Sequence, residues 1–269
     1  MESKIFDGKK VRDEIINLLK KNRLTKEIGF GVIQVGTNLI STKYVQLKKE
    51  TARQLGIRYT GINLPSNISQ EELENQIERL NDDPKISAIM IQMPLPKGIN
   101  RGCAVSKIKR SKDVDGLRYC AGLESDYFPP VVLAVEEAIK RSAIKLENSR
   151  VVILGRGFLV GAPLVRYFNQ TKQKIKNLDV LGRSSENKDE VLANADLIIS
   201  AVGAINVVKA QEIKKRAVLI DAGTTEINGA LLGDIEHEAY SRSRFYTPVP
   251  GGIGPVTIAQ LMKNVISSK

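Results

Sequence analysis

The chain has little of what several protein classes depend on. Its 269 residues include two cysteines, one histidine and no tryptophan, and aromatic residues make up 5%. Cys103 and Cys120 lack metal-ligand spacing, so we interpret both as structural or incidental and expect a reducing, cytoplasmic location. Any mechanism must work without a histidine or depend on His237, which we interpret as a surface or structural residue.

Long apolar runs are also missing. The first residues, Met1 to Phe6, hold no long apolar segment, and no later run approaches membrane-spanning length. We therefore expect a protein that is neither exported nor bound to a membrane. Hydrophobic residues at 42% and charged residues at 26% are typical of a globular protein with one large or two ordinary domains.

Positive charge is in excess, with 41 Lys and Arg against 30 Asp and Glu and a formal net charge of +11. A nucleic-acid binder would concentrate this charge on one face beside stacking aromatic residues, and the sequence contains no such motif. Attraction of small polyanions is one explanation of the charge, and solubility is another.

Apolar runs alternate with helical patterns along the chain, which predicts an α/β fold. The predicted strands span 30–35, 57–64, 86–93, 149–155, 178–181, 195–203 and 217–223, and the predicted helices span 9–22, 41–55, 69–81, 132–144 and 256–266. Such alternation indicates parallel sheets, with a ligand crevice where the strands end.

The predicted helix 41–55 carries the first candidate site. Ser41 is its predicted N-cap. At about 100° per residue the apolar stripe of the helix includes Tyr44 and Lys48, one turn apart, whereas Lys49 lies outside it. A lysine turned inward near a cleft can have its pKa lowered by desolvation and then serve as an acid or base. The alternative is that Lys48 lies along apolar surface with its ammonium in water.

Two further polar residues lie at the predicted crevice edge. Gln92 ends a predicted strand, and its neutral amide can orient a neighbouring lysine. Asp115 precedes Gly116 in a segment typical of a turn. Its carboxylate has a second interpretation, because at a crevice it could accept paired N–H donors from a heterocycle.

A glycine-rich loop predicts a dinucleotide site in the second half. Gly155, Gly157 and Gly161 follow a strand and precede a helix, which suits a tight turn against a pyrophosphate at a helix N-terminus. Arg183 and Ser184 follow the next strand, where proteins that prefer NAD usually place an acidic residue. They favour NADP over NAD, although Asp179 within that strand is a rival signal.

Four motifs together resemble one family. They are Tyr44-Val-x-x-Lys48, Gln92-Met-Pro-Leu-Pro96, Lys112-Asp-Val-Asp-Gly116 and Thr247-Pro-Val-Pro-Gly-Gly-Ile-Gly-Pro-Val-Thr257. In this order and spacing they resemble the methylenetetrahydrofolate dehydrogenase/methenyltetrahydrofolate cyclohydrolase family, over about Phe6 to Met262.

The resemblance implies two α/β domains and a homodimer. Residues 1–130 would form an N-terminal βαβ catalytic domain that binds folate, completed by 247–269, whose C-terminal helix returns to it. Residues 131–246 would form a Rossmann-type NAD(P)-binding domain. The implied reactions are oxidation of 5,10-methylenetetrahydrofolate to the methenyl form with NADP, and hydrolysis of that form to 10-formyltetrahydrofolate.

The resemblance also implies residue roles, none of which involves a metal. Lys48 would be the acid and base of hydrolysis, Gln92 would orient and tune it, Tyr44 would stack on the aminobenzoyl group, and Asp115 would hold the pterin. The remaining substrate-binding residues would be Ser41, Pro250, Gly251 and Gly252. The cofactor-binding residues would be Gly155, Arg156, Gly157, Val160, Gly161, Arg183, Ser184, Gly203 and Thr224.

The sequence departs from the family pattern in three places. Gly157 stands where serine is usual, and the segments 117–122 and 129–134 differ from the family's. These departures leave the folate-tail contacts and the balance of the two activities open. The excess charge could favour folates with polyglutamate tails. Two alternatives remain: a monofunctional NAD(P)-dependent methylenetetrahydrofolate dehydrogenase, and a non-catalytic protein that binds NADP or nucleic acid on the same scaffold.

Overall fold

A computed structural model describes residues 3–21, 27–171, 175–182 and 185–268. The strands are β1 (Lys4–Ile5), β2 (Gly29–Val35), β3 (Arg58–Leu64), β4 (Ala88–Ile91), β5 (Arg150–Leu154), β6 (Asn177–Leu181), β7 (Leu197–Ser200), β8 (Val218–Asp221), β9 (Thr225–Ile227), β10 (Ala230–Leu232) and β11 (Phe245–Tyr246). The helices are α1 (Gly8–Lys21), α2 (Leu39–Gln54), α3 (Gln70–Asp82), α4 (Arg101–Lys107), α5 (Leu117–Cys120), α6 (Pro130–Ser142), α7 (Gly161–Gln170), α8 (Lys188–Ala193), α9 (His237–Arg242) and α10 (Ile253–Ser267).

The predicted strands and helices are present, with ends that shift by a few residues. The elements that the sequence did not predict are short, and they include α5, α9 and the antiparallel pair β9–β10. No helix in the described ranges is long and apolar enough to cross a membrane.

The chain divides into two compact units, and each contains a parallel sheet. The three-stranded unit comprises the described parts of Asp13–Pro130 and Ile258–Lys269. Its strands lie in the order β3-β2-β4, with β2 paired in parallel to both neighbours. Every residue of β2 is buried, which explains why its sequence is an apolar run without alternation.

The core of the three-stranded unit also contains the end of the chain. Ala259, Leu261, Met262 and Val265 of α10 belong to the same buried cluster as Phe30 of β2. Burial of the apolar face of α10 removes apolar surface from water, which stabilises the fold by about 25 cal/mol for each Å² buried. The predicted return of the C-terminal helix to the first domain is confirmed.

The six-stranded unit comprises the described parts of Met1–Arg12 together with Val131–Thr257. Its sheet has the order β1-β11-β8-β7-β5-β6, and all its strand pairs are parallel. In this sheet β6 pairs with one side of β5 and β7 pairs with the other side, so the strand order reverses at β5. In open α/β sheets this reversal opens a ligand crevice beyond the carboxyl ends of the two central strands.

The unit boundaries differ from the predicted domain limits at both ends of the chain. Residues up to Arg12 belong to the six-stranded unit, because Lys4 of β1 pairs with Phe245 of β11. The segment from Thr247 to Thr257 belongs there too, since the Asp221 N–H donates to Thr247 Oγ1 at 2.8 Å. A two-residue strand is too short to carry a sequence pattern, which is why the sequence did not assign it.

Candidate active site

Helix α2 presents the candidate catalytic side chains, and it begins earlier than the sequence predicted. Asn38 is the N-cap: its backbone is extended and its side chain accepts a hydrogen bond from the Ser41 N–H at 3.0 Å. The prediction that Ser41 is the N-cap is therefore wrong. Ser41 lies within the first turn and is buried. Asn38 takes the role because its side-chain carbonyl group can reach the free N–H of Ser41, the third residue of the helix.

The amine of Lys48 lies against the last residues of β4. Its Nζ is 2.9 Å from Gln92 Oε1 and 3.4 Å from Met90 Sδ. Lys48 keeps part of its surface exposed, yet burial lowers the pKa of its amine, and the charge of Asp115 opposes that shift. The ammonium therefore does not extend into water as the alternative interpretation required.

Gln92 is held so that its oxygen faces the lysine. Its main-chain N–H continues the sheet by donating to Ile33 O at 2.8 Å. Its Nε2 donates to Met93 O at 2.7 Å, which leaves Oε1 for Lys48. An amide oxygen accepts a hydrogen bond from either protonation state of an amine without adding a negative charge. Gln92 can thus orient Lys48 without raising its pKa as a carboxylate would.

Asp115 lies in a turn that is fixed on both sides. Gly116 has a φ of +64° and adopts the left-handed conformation that glycine tolerates. Asp113 is fully buried, and its carboxylate accepts from Leu117 N at 3.1 Å and Arg118 N at 2.8 Å. Burial raises the pKa of Asp113 to about 7. The turn that carries Asp115 is thereby anchored to the start of α5.

Lys48 and Asp115 are coupled electrostatically. Burial raises the pKa of Asp115, and the positive charge of Lys48 opposes this rise. Each group therefore stabilises the charged form of the other. The carboxylate of Asp115 can therefore accept N–H donors from a ligand and also influence when Lys48 releases its proton.

Tyr44 lies one turn before Lys48 on α2. It is half-buried, and burial raises the pKa of its phenol above the ordinary value of 10.0. The phenol is therefore neutral at physiological pH. A neutral ring of this kind offers a flat surface on which an aromatic ligand can stack.

Sequence reasoning missed three residues that shape this site. Met90 touches the lysine amine, Asp113 anchors the turn, and Asn264 of α10 donates to Val114 O at 2.8 Å. The one available signal was Asp113 itself, an acidic residue two positions before Asp115. Asn264 lies far along the chain from the turn that it holds, so no local pattern could identify it.

The glycine-rich loop of the six-stranded unit has the geometry of a phosphate-binding turn. Gly155 has a φ of +97°, and a Cβ there would lie 2.5 Å from Ala201 O. A Cβ on Gly161 would overlap Gly155 O, so the start of α7 packs directly on the turn. Val160 precedes α7 and gives it no side-chain cap. The Ala162 N–H donates to Gly157 O at 3.1 Å, so the turn folds back on the start of α7, and the helix dipole there favours an anion such as the pyrophosphate of a dinucleotide.

The structure does not describe two of the predicted NADP contacts, and it weakens the competing argument for NAD. Arg183 and Ser184, the predicted phosphate contacts, lie outside the described residues. Asp179 lies inside β6 opposite Val152, and it forms an ion pair with Arg150 at 2.9 Å. Its carboxylate therefore has a partner away from the strand end where a ribose would bind. Arg156 is exposed and donates to Val180 O at 2.8 Å.

The remaining predicted ligand contacts also lie in the six-stranded unit. Gly203 and Thr224 are exposed on the loops that follow β7 and β8. Pro250 is exposed, Gly251 is half-buried and Gly252 is buried. The structure therefore assigns these last three residues to a different unit from Lys48, although the resemblance groups them with the substrate contacts.

Comparisons with known proteins cover almost the whole chain. The family model described as tetrahydrofolate dehydrogenase/cyclohydrolase, catalytic domain, matches residues 6–115, and the model of its NAD(P)-binding domain matches residues 129–269. The bifunctional protein FolD of Acetivibrio thermocellus is 37% identical and covers 100% of this chain and 97% of its own length.

Solved structures give the same result. The methylenetetrahydrofolate dehydrogenase-cyclohydrolase of Trypanosoma brucei, complexed with NADP cofactor and inhibitor, has a TM-score of 0.91 at 30% identity, with 100% of this chain and 97% of that chain covered. The bifunctional FolD of Campylobacter jejuni has a TM-score of 0.90 at 32% identity, with 99% and 98% covered. The predicted two-domain α/β fold and the predicted family are confirmed.

Proposed function

Because the chain belongs to the tetrahydrofolate dehydrogenase/cyclohydrolase family, we propose that it oxidises 5,10-methylenetetrahydrofolate with NADP and hydrolyses the methenyl product to 10-formyltetrahydrofolate. The observation that carries the proposal is the contact of 2.9 Å between Lys48 Nζ and Gln92 Oε1, at an amine whose pKa burial lowers. Hydrolysis needs such a group, since water must lose a proton as it attacks.

The hydrolytic step uses Lys48 twice. Its neutral amine takes a proton from the water that attacks the methenyl carbon, and the resulting ammonium later gives a proton to the ring nitrogen that leaves. Gln92 keeps the amine pointed at the reacting carbon in both states. A lowered pKa increases the neutral fraction that starts the cycle near neutral pH.

Substrate binding is assigned to the side chains around the amine. The ring of Tyr44 stacks on the aminobenzoyl group, and the carboxylate of Asp115 accepts the paired N–H donors of the pterin. Ser41 is buried on the same helix and completes this set. Pro250, Gly251 and Gly252 supply main-chain contacts by the same resemblance.

The cofactor is NADP, which accepts a hydride from the bridging methylene group when it is bound. Gly155, Gly157, Val160 and Gly161 would hold its pyrophosphate at the start of α7, and Arg156, Gly203 and Thr224 would add contacts, as the family resemblance implies. Arg183 and Ser184 bind the ribose phosphate and set the preference over NAD. The protein's part in oxidation is alignment of the reacting atoms, because the reaction itself requires no acid or base.

The decisive experiment compares two neighbouring lysines. Lys48→Met should reduce hydrolysis of methenyltetrahydrofolate by about 100-fold or more, while NADP binding is retained. Lys49→Met is the matched control: Lys49 lies on the same helix, with its Nζ 6.0 Å from the centre of the Tyr59 ring. Equal hydrolysis by wild type and Lys48→Met would reject the proposed mechanism.

The alternatives are separated by the same preparation. A monofunctional dehydrogenase would form NADPH but hydrolyse methenyltetrahydrofolate no faster than buffer does. A nucleic-acid binder would bind random-sequence DNA with an affinity that falls steeply with salt. We expect hydrolysis and no such DNA binding, because the lysine site is complete and the chain matches the family over nearly its whole length.

Three finer properties belong to the same proposal. The protein is a homodimer, by the family resemblance, which sedimentation equilibrium would test.

Its net charge of +11 favours polyglutamylated folates, so their advantage in affinity over monoglutamates should shrink as salt is added. A cytoplasmic location fits two cysteines that form no disulfide, and fractionation of the cells that make the protein would test it.

A further inference from the structure

Two buried aspartates join the loops that follow β7 and β8 of the six-stranded unit. Asp234 is 0% exposed and Asp221 is 1% exposed. Asp234 Oδ2 accepts from Ser200 Oγ at 2.7 Å and from Val202 N at 2.7 Å. A buried carboxylate requires several such donors, so the position of Asp234 depends on the course of the β7 loop, and the loop depends on Asp234.

The second oxygen of Asp234 holds the rest of that loop. Oδ1 accepts from Gly203 N at 3.0 Å and from Ala204 N at 3.0 Å. Three successive main-chain N–H groups thus converge on one side chain. This one side chain therefore ties the main chain of the β7 loop at three successive residues, of which Gly203 is exposed.

Asp221 makes the matching contacts beside the β8 loop. Its Oδ1 accepts from Gly223 N at 3.0 Å, and its Oδ2 accepts from Ile235 N at 2.9 Å. The two aspartates also interlock through glycines. A Cβ on Gly223 would overlap the carboxylate of Asp234, and a Cβ on Gly233 would overlap that of Asp221.

We propose that Asp234, supported by Asp221, is a positioning residue that sets the β7 and β8 loops for the nicotinamide cofactor. This inference rests on the proposed function, in which Gly203 and Thr224 on these loops contact NADP. It adds that a side chain with no cofactor contact of its own controls the affinity. Lys48, Gln92 and Asp115, which the proposed function gives to hydrolysis, belong to the other unit.

Asp234→Asn is the principal test, because asparagine keeps the shape but has only one acceptor oxygen. The dissociation constant for NADP, measured by calorimetry, should rise at least tenfold, which corresponds to the loss of one such hydrogen bond. The KM for NADP should rise while kcat at saturating NADP changes much less. In the cofactor-free protein, amide exchange at Val202, Gly203 and Ala204 should become faster.

Two measurements guard against a merely structural effect. Hydrolysis of methenyltetrahydrofolate needs no cofactor, so Asp234→Asn should retain it at the wild-type rate. Asp189→Asn, at an exposed carboxylate of α8 in the same unit, should leave NADP affinity and exchange unchanged. If Asp234→Asn fails to fold, Ser200→Ala replaces it, because it removes one contact of 2.7 Å and should weaken NADP binding in the same direction.

Each outcome decides the matter. Wild-type NADP affinity in Asp234→Asn, or in Ser200→Ala where that variant replaces it, would overturn the inference and leave the proposed function intact. Loss of hydrolysis together with NADP binding, with amide exchange faster throughout the chain instead of at the three loop amides, would also overturn it by indicating general destabilisation. A wild-type protein that bound no NADP would overturn the proposed function and this inference with it.

Discussion

The amine of Lys48 and the carboxylate of Asp234 are both enclosed by their units, but their partners differ in kind. Lys48 faces side chains: Gln92, Met90 and the charge of Asp115. Asp234 faces mostly main-chain N–H groups of one loop, together with the Ser200 hydroxyl. Side-chain partners tune when a group gains or loses a proton, whereas main-chain partners tie it to the course of the chain.

This contrast explains how the two sites divide the work. In the three-stranded unit the reacting group belongs to the protein, so its pKa has to be adjusted. In the six-stranded unit the reacting group belongs to the cofactor, so the protein has to supply a binding surface whose shape fits it. Substitutions should therefore act on pH dependence in the first unit and on affinity in the second.

After Lys48→Met, the largest effect is expected from Gly161→Ala, which changes the shape of the cofactor loop. The new Cβ would overlap Gly155 O and push the start of α7 away from the turn. NADP-dependent oxidation should fall by about 100-fold, as expected for a displacement on the order of 1 Å. Calorimetry with NADP and an assay of hydrolysis, which should persist, would check it.

Gly157→Ala provides the contrast for that variant. Among the described residues, a Cβ there would meet only Ala201 O, at 4.0 Å. Its loss of NADP affinity should therefore be clearly smaller than that of Gly161→Ala. Equal losses of NADP affinity in the two variants would show that close packing is not the reason why these positions require glycine.

Gln92→Glu should have the next largest effect, because it places a negative charge beside Lys48 and also removes the donor to Met93 O. A carboxylate in place of the amide whose oxygen lies 2.9 Å from the amine would favour the ammonium and raise the pKa of Lys48. The neutral fraction near pH 7 would fall, so hydrolysis should slow by tenfold or more and its pH profile should move to higher pH. Rates of hydrolysis measured from pH 6 to 10 would test this prediction.

Gln54→Glu is the matched control for that change. Gln54 is exposed at the end of the same helix, so a carboxylate there should leave both the rate and the profile as in wild type. An unchanged profile in Gln92→Glu would refute the role of Gln92 in keeping the lysine reactive.

The part of the site that sequence predicts is the part made from local patterns. Lys48 follows from helical spacing and Gln92 from the end of an apolar run, and the parallel sheet then brings the two together. The loop at Gly155 follows from its glycines. Asp234 follows from nothing local, because its donors come from a segment about 30 residues earlier. Its order arises only when β7 and the segment before α9 have folded together.

Boundary errors have an equally physical origin. Ser41 and Asn38 are both good N-caps, and the choice between them depends on two further residues of helix, which propensity does not resolve. The first strand was missed because two residues have no period. Its place beside β11 depends on pairing with a segment at the other end of the chain.

The pH dependence of the free energy of unfolding should distinguish the two units. Asp113 and Asp221, one in each unit, have pKa values raised by burial from 3.8 to about 7. Between these values the folded protein holds protons that the unfolded chain has released. The free energy of unfolding should thus fall as pH rises from about 4 to about 7, by about 1.4 kcal/mol for each unit of pKa difference.

Urea unfolding at pH steps from 4 to 8 would measure that fall. Asp221→Asn and Asp113→Asn should each flatten the dependence, because asparagine does not titrate, and the two variants should report on different units. A slope in either variant as steep as in wild type would contradict the raised pKa of that residue.

The smallest expected effect is that of Asn38→Ala, which tests whether the cap matters to the lysine site. Its side chain accepts from the Ser41 N–H at 3.0 Å, and removal should cost about 1 kcal/mol of unfolding free energy. Asn38→Asp should retain the cap and most of that stability. Because Lys48 lies nearly three turns further along α2 and is held by Gln92, hydrolysis should hardly change in either variant. A loss of hydrolysis in Asn38→Ala beyond its loss of stability would mean that α2, like the β7 loop, positions its reacting group through the main chain.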